Sequence, residues 1–142
     1  VMANRAKVLS ENNIGMIVMN SGEMDHIFAI NEAISRGEVL AVAGDRNMGQ
    51  KTIECDFMKG KAPLPAGVFQ LCVAIKCPIL LTFVVKEEGK TSDIYTEQLE
   101  VKPSLSRADK AKDLAQQFAT RLEQMALKYP YEWFNFYQFW SE

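Results

Sequence analysis

Apolar residues recur along this chain at two spacings, every third or fourth residue and every second, and the changes between them outline the elements. Val1 to Asn12 reads as the end of a helix, with Met2, Ala6 and Leu9 on one face and no N-cap residue ahead of them. Ile14 to Asn20 is a short apolar strand, closed by Ser21-Gly22. Met24 to Arg36 returns to helical spacing through Ile27, Ile30 and Ile34, and Gly37 follows as a C-cap. Val39 to Ala43 is a continuous apolar run of strand length, the pattern of a strand covered on both faces. It halts at Gly44-Asp45-Arg46.

Thr52 to Phe57 alternates Ile53, Cys55 and Phe57 with Thr52, Glu54 and Asp56, which predicts a half-exposed strand. Gly60 to Gly67 is rich in proline and glycine and is expected to form a loop whose last glycine opens a short helix over Val68 to Lys76. After Cys77-Pro78, Ile79 to Val85 predicts a second buried strand. Lys86 to Asp93 is a solvated hairpin connection, and Ile94 to Val101 the returning strand. Pro103 breaks the chain. Ser106 with Asp109 forms a capping box for a long helix to Tyr129. Its apolar positions, Ala108, Ala111, Leu114, Ala115, Phe118, Leu122 and Met125, step by three and four. Tyr129-Pro130 ends it. Strands alternating with helices, and a late hairpin, predict one α/β domain over residues 1–142 with a mixed, mostly parallel sheet flanked by helices.

Composition narrows the function classes. The chain has 142 residues, 48% of them hydrophobic, with 16 basic against 18 acidic side chains. A chain of this size buries roughly 68–70% of its unfolded surface, and its apolar content excludes disorder as the main state. No apolar run reaches the roughly 18 residues of a membrane span. A pI near 5.5 without a basic cluster argues against nucleic acid as a partner. One histidine and three scattered cysteines make a metal site improbable and predict buried, inert thiols in a reducing setting.

Four features could carry chemistry. Asp45-Arg46 follows a strand end, where ligands of open α/β sheets sit, and the Arg46 guanidinium offers a planar fork for phosphate or carboxylate; the plainer reading is a strand-end ion pair or turn. The Gly60 to Gly67 segment precedes a helix N-terminus that could hold an anion, although GxxxxGK[ST] is absent and a rigid connection is the plainer reading. His26 and Asn31 imitate a base-and-orienter spacing, but no carboxylate stands at that spacing, so a surface or capping role is more ordinary. The tail Tyr129 to Trp140 carries eight of the chain's 14 aromatics (4 Tyr, 8 Phe, 2 Trp). It either packs over the sheet as core or turns part of itself to a membrane interface or a partner.

These features, in this order, resemble the second half of the bacterial lipid A biosynthesis (lauroyl/myristoyl) acyltransferases, in the lysophospholipid acyltransferase superfamily. The resemblance runs from about Ile14 onward. It rests on GEVLAVAGDR (Gly37 to Arg46), on the strand reaching Phe57, on Gly60-Lys61-Ala62-Pro63-Leu64-Pro65-Ala66-Gly67, on Cys77-Pro78-Ile79-Leu80, and on Tyr129-Pro130 with Trp133-Phe134. Phe57-Met58-Lys59-Gly60 has one residue more than the family's Phe-x-Gly turn.

The resemblance implies a glycerolphosphate-acyltransferase-like fold and transfer of a fatty acyl chain from an acyl carrier protein or acyl-coenzyme A thioester to a lipid acceptor. It implies work at a peripheral membrane surface, the cytoplasmic face of the bacterial inner membrane, without a cofactor. Family chemistry uses a His general base oriented by an Asp in an HxxxxD pair, and that pair is missing here. The chain therefore corresponds to a C-terminal fragment, expected to be inactive alone, with no catalytic residue of its own. Asp45, Arg46, Gly60, Pro65 and Gly67 are the substrate-binding candidates that the resemblance carries over, the last three shaping a loop beside the substrate groove. One rival is a non-catalytic binding module that docks through its aromatic tail. A second, an enzyme using Cys72 or Cys77 as nucleophile, lacks a base.

Overall fold

A computed structural model describes residues 9, 11–17, 25–47, 49, 51–86, 89 and 91–141, with the backbone alone at 25 and 26. The chain divides into two compact units, Val1–Ala41 and Val42–Glu142.

In the first unit, Leu9 and Glu11 belong to a closing helical turn. The amides of Asn12 and Ile14 donate to the Leu9 carbonyl, and Asn13 takes a left-handed φ of 56°. Helix α1 spans Asp25–Ser35. It stops where expected: Gly37, at φ 80°, donates to Ile34 and Glu38 donates to Ala33, which satisfies carbonyls of the last turn. Ile30 and Ala33 are buried, one turn apart as a single apolar stripe requires.

The second unit is built from two hairpins on one long helix. Strands β1 (Thr52–Phe57) and β2 (Gly60–Pro65) pair antiparallel, followed by helix α2 (Ala66–Ile75). Strands β3 (Ile79–Lys86) and β4 (Ser92–Leu99) form a second antiparallel pair. Helix α3 (Arg107–Lys128) begins at Ser106, whose Oγ accepts the Asp109 amide, as the capping pattern predicts. Ala111, Leu114, Ala115, Ala119 and Leu122 bury one stripe of α3 against Cys55, Phe57, Ala62, Leu64, Phe69, Leu81, Leu99 and Phe139. Each fully buried leucine in that set contributes about 1.5–3 kcal/mol. Ala108, expected on this stripe, is exposed.

Two adjacent glutamines fix α3 to both sheets. The Gln116 amide accepts from the Asp56 N–H at 2.8 Å and donates to the Asp56 carbonyl at 3.0 Å. Gln117 does the same to Glu100, just past β4, at 3.3 and 2.9 Å. Each side chain thus satisfies both backbone groups of one residue at a sheet edge.

Three expectations are corrected. The sheet is not mostly parallel: among the described residues every strand pair is antiparallel. A parallel strand needs neighbours and helices over both faces. The runs expected to supply it form no ladder; Ile14–Ile17 and Val39–Ala43 are irregular, with Val39 95% exposed. Residues 18–20 of the first run lie outside the described residues. Second, Gly60 to Pro65 is a strand, not a loop. Proline is tolerated on an edge strand, and β2 pairs on one side only. Third, β3 is covered on one face. Leu81 and Val85 are buried, while Leu80 and Val84 face outward with Ile94.

Candidate functional site

The turn that follows the Val39–Ala43 run is held on two sides within the second unit. Gly44 lies against the Phe118 ring of α3; a Cβ on it would stand 3.0 Å from Phe118 Cε2. On the other side, the Tyr137 hydroxyl donates to the Asp45 carbonyl at 2.8 Å. Arg46 is exposed, and among the described residues no acidic side chain pairs with its guanidinium. Among the described residues Asp45 and Arg46 form no ion pair, and no strand precedes them, so the strand-end placement expected of this pair is corrected: it stands on an irregular turn. A free planar fork on an anchored turn can take two oxygens of one phosphate or carboxylate.

Pro65 and Gly67 stand together at the start of α2. Pro65 is buried and occupies the N-cap at φ −66° and ψ 113°, with no side-chain cap. The Ala66 amide donates to the Lys51 carbonyl, so one of the first-turn donors is satisfied internally. Gly67 is exposed with open space around it. Phe69, in the same first turn, packs on Phe118 with ring centroids 5.7 Å apart. One aromatic ring therefore touches both Gly44 and Phe69 of α2.

Gly60 does not join them. It opens β2, at the opposite end of that strand from Pro65, and pairs with Phe57 across the hairpin. Met58 and Lys59 make the turn between, with Met58 at a left-handed φ of 53° and its N–H donating to Glu123 Oε2. The extra residue relative to Phe-x-Gly is absorbed there. Gly60 lets Trp140 pack on the strand: a Cβ would meet Trp140 Cδ1 at 2.8 Å and push the indole away.

The aromatic tail divides. Trp133, Phe139 and Trp140 surround Phe57, with centroids 5.4, 5.0 and 6.1 Å away. The Ser141 amide donates to the Lys61 carbonyl. Tyr131 and Phe136, each 90% exposed, and Phe134 point to solvent. The packed reading of the tail thus holds for Trp133, Phe139 and Trp140, while Tyr131, Phe134 and Phe136 are left exposed. Tyr137 and the α3 glutamines were missed by sequence reasoning, because nothing local marks the backbone group that a side chain will reach.

Of the thiols, Cys55 is buried, and burial first, then Asp56, pushes it up to about 11. Burial also raises Cys72. Neither is set up as a nucleophile. His26 lies in the first turn of α1, with its side chain outside the described residues, and Asn31 is exposed. Among the described residues no helix is long and apolar enough to cross a membrane, and no cluster of three His, Cys, Asp or Glu is placed to hold a metal.

The family profile of the bacterial lipid A biosynthesis acyltransferases matches residues 8–142. The chain belongs to this family. Comparison with curated proteins finds no match. Membership makes acyl transfer to a lipid the chemistry against which the site is read.

Proposed function

We propose that this chain supplies the substrate-holding part of an acyltransferase. The enzyme moves a fatty acyl group from an acyl carrier protein or coenzyme A thioester to a lipid A-type acceptor at the cytoplasmic face of the inner membrane. The observation that carries this is the Arg46 guanidinium, without an acidic partner among the described residues and set on an anchored turn, in a chain of this family. Arg46 would hold a phosphate of donor or acceptor, and Asp45 would set the turn. Pro65 and Gly67 would shape the neighbouring wall. Gly60 acts through packing of the hairpin instead.

In the reaction an acceptor hydroxyl attacks the thioester carbonyl, its proton passes to a base, and the thiol leaves. That base must be oriented, and the only histidine of this chain is followed at the fifth position by Asn31, not by a carboxylate. The chain therefore binds without turning over, and an HxxxxD pair elsewhere in the protein supplies the base. The test is acyl transfer from acyl-carrier thioester to a bacterial lipid extract, by the protein as encoded and by this chain. Activity of the first only is expected. Turnover by the chain alone that is lost in H26A would overturn the reading.

A second reading, docking on a membrane surface, is favoured by the exposed Tyr131, Phe134 and Phe136. It predicts that F134S/F136S weakens co-sedimentation with lipid vesicles while the fold is kept.

A further inference from the structure

The C-terminal tail reaches two turns of the second unit, of which only the Gly44–Arg46 turn belongs to the candidate site. Its distal end covers the Phe57–Gly60 turn, through Trp140 on Gly60 and the Ser141 amide on Lys61. Its middle reaches the Gly44–Arg46 turn, through the Tyr137 hydroxyl on the Asp45 carbonyl. The Tyr137 ring is itself seated on Phe139, with centroids 6.1 Å apart, and Phe139 is buried against Phe57, Trp133 and Trp140. The phenol is thus presented by packed core, not by a free segment.

We infer that Tyr137 is a positioning residue for Arg46, with the tail acting as a strap that holds the Arg46 turn in its anion-binding orientation. The Asp45 carbonyl and the Arg46 N–H belong to one planar peptide group, so holding that oxygen fixes the plane from which Arg46 departs. Phe118 on Gly44 blocks the turn from one side, and Tyr137 ties it from the other. Glycine at position 44 and irregular backbone before it would otherwise leave the peptide free to rotate. Both charges of the turn are felt at the phenol. Burial, then Asp45, raise the Tyr137 pKa, and Arg46 opposes them. This role rests on the proposed reading of Arg46 as the anion-holding group.

The experiment uses the protein as encoded, with Y137F, R46A and the double variant. Y137F keeps the ring and removes only the hydroxyl. The backbone order of Asp45, Arg46 and Asn47, read by NMR relaxation, is expected to fall, with the untethered population rising about two- to tenfold, the equilibrium worth of one net hydrogen bond. Order in α3 should stay unchanged, which separates loss of the tether from a general loss of stability. In acyl transfer, KM for acyl-coenzyme A or acyl-carrier thioester should rise by a similar factor with kcat little changed. Y137F should add nothing in the R46A background. Unchanged backbone order at the turn overturns the strap. So does an equal KM effect of Y137F with and without Arg46. R46A with unaltered kinetics overturns the reading of Arg46 instead, and the lowered order in Y137F then shows the tether without that role.

Discussion

Replacing Gly60 by alanine tests whether the tail is held against the hairpin. The new Cβ would stand 2.8 Å from Trp140 Cδ1, closer than real Cβ contacts, and further indole atoms lie at 3.6 and 3.7 Å. β2 is tied to β1 along its length and cannot retreat, so the indole must move. Trp140 is 41% exposed and can swing outward, leaving its contacts with Phe57 and Phe139 and a long hydrogen bond to the Phe57 carbonyl. Overpacking of this kind costs about 1–3 kcal/mol. Against it stands the gain of roughly 0.4–1 kcal/mol from a stiffer unfolded chain when glycine becomes alanine. The net loss is about 1–2 kcal/mol, a fall in Tm of roughly 3–8 °C for a chain of this size. Gly67 is the control. It has open space and helical backbone, so G67A should gain stability by about 0.5–1 kcal/mol. Urea denaturation gives both values, and tryptophan emission should shift to the red in G60A alone. A G60A protein as stable as the parent, with unchanged emission, would refute the packing of Trp140 on β2.

S106A removes the acceptor for the Asp109 amide and should lower stability by about 1 kcal/mol in the same denaturation experiment. Cys55 should resist alkylation at pH 8 in the folded chain and react once urea unfolds it, since burial both covers the thiol and raises its pKa to about 11. Mass mapping of the labelled peptides would read this. The Lys102 ammonium, then the Gln117 amide, hold the Asp113 carboxyl below its usual range against partial desolvation. A depressed carboxyl pKa contributes stability above its unfolded value, and that contribution is lost as pH falls through the folded pKa. K102M should therefore be less stable than the parent at pH 7, with the difference closing below about pH 4.

Much of the second unit is legible locally. The helix over Arg107–Lys128 follows from the spacing of Ala111, Leu114, Ala115 and Leu122 and from Ser106-x-x-Asp109, because periodicity and capping act between residues three or four apart. The β3–β4 hairpin and the glycine stop at Gly37 are of the same kind. Family membership was also readable, from an ordered set of short motifs. Long-range choices were not. Pro63 and Pro65 suggest a loop until β1 is there to pair with them, since one free edge is all that a proline needs. Gly60 and Pro65 sit five apart in sequence, yet an extended strand sends them to opposite ends of a hairpin. Val39–Ala43 has the composition of a covered strand, but composition cannot supply the neighbour that makes a ladder. The hydroxyl that ties the Arg46 turn comes from a residue 92 positions from its acceptor. Local spacing determined the elements; packing of the tail and α3 decided which turns and strand edges are tied together, because those contacts join residues that no short window contains.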